Sequence, residues 1–192
     1  MAAEDATWRL FVAVPVPVAV RAALVAAFEP VRRRTDGGRW QSPDTWHLTV
    51  RFLGDTPLTA LAEVEAAVRG AASGLRPFEL EIGDAGSFER GRGRIAWIGL
   101  RRGDGELAAL ASRLAARLGD DERSHGAFHA HLTIARDAPD GLVAGLSVAL
   151  RAAAIGGGTP LAWQADSLVL YRSVLEPGGA VHSALVTAPL GG

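Results

Sequence analysis

At 192 residues, with 48% hydrophobic content and a formal net charge of −1, the chain has apolar material for one real core and no global field favouring nucleic acid or membrane. It has no Cys, which excludes disulfides, thiolate catalysis and Cys-type zinc sites and fits a reducing cytoplasm. Met1 to Asp5 is acidic, unlike a signal peptide, and the best apolar run, Leu10 to Val20, is too short for a bilayer and holds Pro15 and Pro17, so a soluble cytoplasmic protein is expected.

Thr7 to Val14 has the pattern of a first strand, and Pro17 is placed to open a helix to about Phe28, ended by Pro30. Arg32-Arg33-Arg34 then begins a polar loop. Gly37 to Gln41 is a short strand or turn before a strand over Trp46 to Leu53, closed by Gly54. Pro57 starts a helix of Leu, Ala and Val at helical spacing to about Ala72. Strands are predicted over Phe78 to Ile82 and Ile95 to Leu100, joined by a Gly- and Arg-rich link from Gly83 to Arg94. Glu106 to Leu118 is an amphipathic helix with Leu107, Leu110, Leu114 and Leu118 on one stripe. A strand spans Phe128 to Arg136 and a weaker helix Gly141 to Ala153. A hairpin closes the chain: Ser167 to Ser173, a turn at Pro177-Gly178-Gly179, then Val181 to Thr187. Interleaved strands and helices predict an α+β fold of two pseudo-symmetric lobes. Each lobe is an antiparallel sheet backed by helices, with a cleft between them, and residues 1–192 form one bilobal domain.

The signal that carries chemistry is a repeated word. His47-Leu48-Thr49-Val50 returns as His131-Leu132-Thr133-Ile134, taking two of only 5 His in the chain. In a strand, residues i and i+2 share a face, so each His stands beside a Thr while the apolar pair turns to the core. One such word is usually structural, its Thr chosen for β propensity. Two facing words bring two imidazoles and two hydroxyls around one small volume. That set suits an anionic phosphodiester centre and works without a metal, since two His serve as acid and base near neutral pH.

With their flanks, these words are highly specific. The chain resembles the two-histidine (2H) phosphoesterases, and among them the RNA 2′,3′-cyclic phosphodiesterases, also called 2′-5′ RNA ligases. The resemblance rests on Arg9-Leu10-Phe11-Val12-Ala13, Arg39-Trp40, Trp46 to Gly54, Phe128 to Arg136, and Leu168 to Ser173 before a Gly-rich turn. Two departures stand out: Ala130 where the family usually has Pro, and His182 where an aromatic, often Tyr, is common. The resemblance implies hydrolysis of an RNA terminal 2′,3′-cyclic phosphate to a 2′-phosphate, with no metal or other cofactor. It makes His47 the proton donor to the departing oxygen and His131 the acceptor that activates water. Thr49 and Thr133 would bond the non-bridging oxygens. With a 5′-hydroxyl in place of water, the reaction would be a reversible 2′-5′ ligation. Spacing alone does not say which His is the acid. The partners expected are RNA or oligonucleotide ends carrying the cyclic phosphate, met by a monomer without a membrane.

Three further residues are candidate substrate contacts. Arg51 shares the face of His47 and Thr49 if the strand stays regular, the other reading being a rim salt bridge. Arg136 matches a recurrent Arg of the family but lies five residues after His131, so a bulge or strand end must turn it inward. His129, two before His131, is a substrate contact or half of a metal site, which would need further ligands. Arg90 to Arg94 is a phosphate-binding arm or a solvated turn. Trp40, Trp46 and Phe128 are base-stacking candidates or core. Two other functions stay open: a protein that binds phosphorylated or cyclic nucleotide ends without turnover, and a metal-dependent phosphoesterase using His129 and His131.

Overall fold

The computed structural model describes residues 6–91, 93–119, 128–155 and 161–191. In chain order the elements are β1 (Thr7–Pro15), α1 (Val18–Arg34), β2 (Arg39–Trp40), β3 (His47–Pro57), α2 (Leu61–Ala72), β4 (Phe78–Arg90), β5 (Gly93–Arg102), α3 (Asp104–Leu118), β6 (Leu132–Arg136), α4 (Leu142–Ile155), β7 (Ala162–Ala165), β8 (Ser167–Glu176) and β9 (Gly179–Pro189). Short 3₁₀ turns at Pro43–Thr45 and Leu58–Ala60 precede β3 and α2.

The strands form two antiparallel sheets, one ordered β3-β1-β8-β9 and the other β2-β6-β5-β4-β7. Helix α2 packs on β8 and β9 of the first sheet and on α3, and α4 packs on β4 and β5 of the second and on α1. This is the predicted α+β arrangement, a sheet backed by helices in each half. One buried cluster joins the halves, with Leu48 and Val50 from one repeated word and Leu132 and Ile134 from the other. The apolar alternation of both words is therefore spent on the core, and their polar alternation is left to the opposite face. No helix among the described residues is long and apolar enough to cross a membrane.

Several predicted boundaries move. Helix α1 runs through Pro30 to Arg34 instead of ending before it. Proline removes one intrahelical hydrogen bond, but the following turn is held from outside. Val31 packs where a Cβ on Gly145 of α4 would lie 2.9 Å from its Cγ1. Thr35 Oγ1 donates to the Val31 carbonyl at 2.8 Å, and the Arg32–Arg34 cations sit at the negative end of the helix dipole. Strand β3 continues past Gly54, which at φ +68° turns the strand without ending it. The predicted link from Gly83 to Arg94 is mostly ladder. At Gly83 the chain passes so close to Leu100 that a Cβ would lie 2.8 Å from its carbonyl carbon. Arg90 pairs with Gly93 in a tight turn, and Arg92 lies outside the described residues, as does the acidic start at 1–5. Strand β6 begins at Leu132, four residues later than predicted, because the Ala130 N–H donates to Asp104 Oδ1 (3.3 Å) at the start of α3. A proline at 130 would have no N–H to give. Strand β7 has no counterpart among the predicted elements.

Candidate active site

The two repeated words meet in one cleft of about 410 Å³, lined by His47, Thr49, His131, Thr133 and Arg136 among others. Strands β3 and β6 approach each other where the sheets meet. The two half-sites share more than four residues. Nδ1 of His47 donates to the Thr45 carbonyl at 2.7 Å, and Nδ1 of His131 donates to the His129 carbonyl at 2.8 Å. A carbonyl can only accept, so each Nδ1 carries hydrogen, and Nε2 is the atom left to exchange a proton.

A bulge follows each word at the same offset. In β3, Ala13 pairs with Thr49 and Val12 with Arg51, leaving Val50 as the extra residue. In β6, Trp97 pairs with Thr133 and Ala96 with Ala135, leaving Ile134 extra. The extra residue reverses the alternation. Ile134 and Ala135 are both fully buried, and Arg136 returns to the cleft face. That is the inward turn that Arg136 required. Its backbone is paired with Ile95 on one side and Arg39 on the other, which fixes where the guanidinium starts.

The same bulge overturns the expectation for Arg51. It is not on the cleft face; its Nη2 donates to the Gly119 carbonyl beyond the C-terminus of α3. Phe52 holds the offset of Arg136 and lines the cleft with its ring 57% exposed. His129 is also outside the cleft lining. Its exposed ring packs edge-on against Trp97 (4.6 Å between centroids), and its carbonyl serves His131. Among the described residues no three His, Asp or Glu side chains converge to hold a metal ion. Trp46 is buried against Phe28, and Trp40 and Phe128 pack on the core.

The two imidazoles sit in different surroundings. His47 stacks on Phe11 (4.6 Å, 30°) and lies nearly perpendicular to His182 (5.4 Å, 84°). Burial pushes it down to about 4, opposed by the Thr45 carbonyl and reinforced by His182 and His131. His131 meets Phe88 edge-on (4.9 Å) and is also lowered, first by burial, against its bond to the His129 backbone, with His129 adding repulsion. These shifts keep both rings neutral at pH 7, and an entering anion favours the charged form of each. His182, from β9, also lines the cleft, although the sequence marked it only as a departure from the family pattern. The β8–β9 hairpin is expected from the sequence, but the pairing of β8 with β1, which no local pattern reports, brings it there.

A profile of the 2′-5′ RNA ligase superfamily matches residues 15–176. The chain is 34% identical over 137 residues to the RNA 2′,3′-cyclic phosphodiesterase of Escherichia coli (strain K12), covering 69% of this chain and 73% of that one. It is 32% identical over 185 residues to the RNA 2′,3′-cyclic phosphodiesterase of Thermus thermophilus, covering 92% and 87%. Among solved structures, a Thermus thermophilus protein superposes with TM-score 0.77 at 30% identity over 96% of this chain and 98% of that one. The apo form of Escherichia coli LigT gives 0.72 at 25% over 97% and 99%.

Proposed function

The chain belongs to the 2′-5′ RNA ligase superfamily, and from that membership we propose that it is an RNA 2′,3′-cyclic phosphodiesterase that opens the terminal cyclic phosphate to a 2′-phosphomonoester without a metal. The observation that carries this reading is the doubled half-site: two His-x-Thr words with the same Nδ1 anchor and the same bulge, lining one cleft.

Displacement at phosphorus needs the attacking and leaving oxygens roughly in line, so a base and an acid must flank it. His131 Nε2 takes a proton from water as the water oxygen bonds to phosphorus. The P–O3′ bond breaks, and protonated His47 gives its Nε2 proton to the departing O3′. The proton balance closes, because one His gains what the other loses. Thr49 and Thr133 hydroxyls donate to the non-bridging oxygens, where charge builds, and Arg136 offsets that charge. The lowered proton affinity of His47 suits a donor, since its imidazolium parts readily with its proton. With a 5′-hydroxyl in the place of water, the same groups in the same roles would form a 2′-5′ linkage, the P–O3′ bond breaking as before. The enzyme is read as a cytoplasmic monomer acting on RNA ends.

The deciding experiment incubates the protein, with excess EDTA, with an oligonucleotide ending in a 2′,3′-cyclic phosphate and identifies the product isomer. A 2′-phosphate at an undiminished rate is expected. No turnover, or turnover lost to the chelator, would overturn the reading.

A further inference from the structure

His182 stands where the resemblance leads one to expect a phenol or phenyl ring. From β9, paired opposite Ser173 of β8, it reaches the cleft and stands nearly perpendicular to two rings, Phe11 at 4.9 Å (75°) and His47 at 5.4 Å (84°). Phe11 in turn stacks on His47 and on Tyr171, at 4.6 and 5.1 Å. His47 thus meets one ring face to face and another edge to face. Nδ1 of His182 is buried and makes no hydrogen bond of normal geometry, only an electrostatic contact with the Val181 backbone.

We propose that His182 is a positioning residue for His47: its ring stands nearly perpendicular to the stacked His47 and Phe11 rings, touches both and limits the tilt of His47, and its own protonation makes proton uptake at His47 a property of two rings. This rests on the reading of His47 as a proton carrier. A Phe or Tyr at 182 would brace as well but stay neutral throughout the range in which imidazoles titrate. An imidazole there takes a proton. Burial lowers the proton affinity of His182, and a proton on it lowers that of His47 further. A like charge 5.4 Å away then opposes the proton on His47. An anion in the cleft reverses the balance and draws protons to both rings.

The other charged or titratable groups facing this corner are Arg9 from β1, Asp55 from β3, His131 and Arg136 from the β6 segment, and Tyr171 from β8, with Arg21 of α1 behind Tyr171. Burial pushes the Tyr171 phenol further up, away from the imidazole range, with Arg21 opposing. His131 is the group whose titration overlaps, so the test must resolve each ring separately.

The test is an NMR titration of the histidine Cε1–H signals in the ligand-free protein, for wild type, His182→Phe and His182→Gln. In both variants the His47 midpoint is expected to rise by about half a unit to one unit, the Coulomb effect of one charge at this range in a wet site. In His182→Gln the His47 signal is also expected to broaden, since the bracing ring is gone. Isothermal titration with inorganic phosphate in two buffers of different ionisation enthalpy should show greater proton uptake by wild type than by His182→Phe near pH 6. A His47 midpoint unmoved or lowered in both variants overturns the proposal. If neither variant folds, the wild-type curve decides: the His47 signal must inflect at the His182 midpoint, and a simple one-proton curve without that inflection overturns it. None of these readings needs turnover, so loss of the phosphodiesterase reading and loss of this one are separate outcomes.

Discussion

The half-site around His47 and the half-site around His131 use one device in two settings. Both anchor Nδ1 on the carbonyl two residues back, both place a Thr two residues on, and both insert a bulge at the third. They differ in what surrounds the device. Strand β3 is at the edge of its sheet, and its His lies against Phe11 with Phe52 further along. Strand β6 is interior to its sheet, and it carries Arg136 at the offset of Phe52. The repeat supplies two groups able to move a proton, and the unlike neighbours separate their tasks. On the proposed reading, the ring enclosed by aromatics gives its proton up easily, and the cation lining the cleft with the other ring would hold the phosphate.

The largest effects come from removing the shared device. His47→Ala and His131→Ala are each expected to lower kcat with the cyclic phosphate substrate by about 10³-fold or more while leaving the circular dichroism spectrum intact. A single mutant with near wild-type kcat would make that His structural and break the pairing.

Next comes the contrast in burial. His47 titrates at about 4 in the fold against 6.5 unfolded, so between these values the unfolded chain holds the extra proton. The resulting stability is fully present above 6.5 and is lost as pH falls from 6.5 towards 4. Of order 3 kcal/mol is at stake from this ring. Urea midpoints of ligand-free protein should fall over that window, and His47→Phe should flatten the slope. An unchanged slope would contradict the burial argument.

The hydroxyls follow. Thr49→Val and Thr133→Val keep shape and β propensity but delete a donor, at an expected cost of about 10²-fold in kcat each. Stability loss without rate loss would assign them to packing alone.

The unlike residues at matched offsets give smaller effects and sharpen the comparison. Arg136→Gln should lower kcat/KM by about ten- to a hundredfold, as expected for losing a charged hydrogen bond. Arg51→Ala should leave kcat/KM within about threefold and lower Tm by a few degrees, having lost a bond to the Gly119 carbonyl. If Arg51→Ala behaved like Arg136→Gln, the bulge argument would fail.

Much of this was legible in the residues, because a strand with one buried face announces both faces. His47, Thr49, His131 and Thr133 could be placed together from alternation and repetition alone. A bulge has no such signature. Val50 and Ile134 look like ordinary members of their strands, so strict alternation put Arg51 in the cleft and Arg136 out of it. Only the resemblance argued for Arg136. Pro30 misled for a related reason: the contact that carries α1 beyond it comes from Gly145, more than a hundred residues away. His182 reaches the cleft through strand order, which local periodicity does not encode.

The central claim, that His47 and His131 act as one acid–base unit, is tested most directly by kcat for His47→Ala, His131→Ala and the double mutant on a cyclic phosphate-terminated oligonucleotide in EDTA. Groups acting together cannot be lost twice, so the double mutant is expected within about tenfold of the slower single mutant. Losses that multiply in the double mutant would mean that the two histidines act independently and would contradict the account.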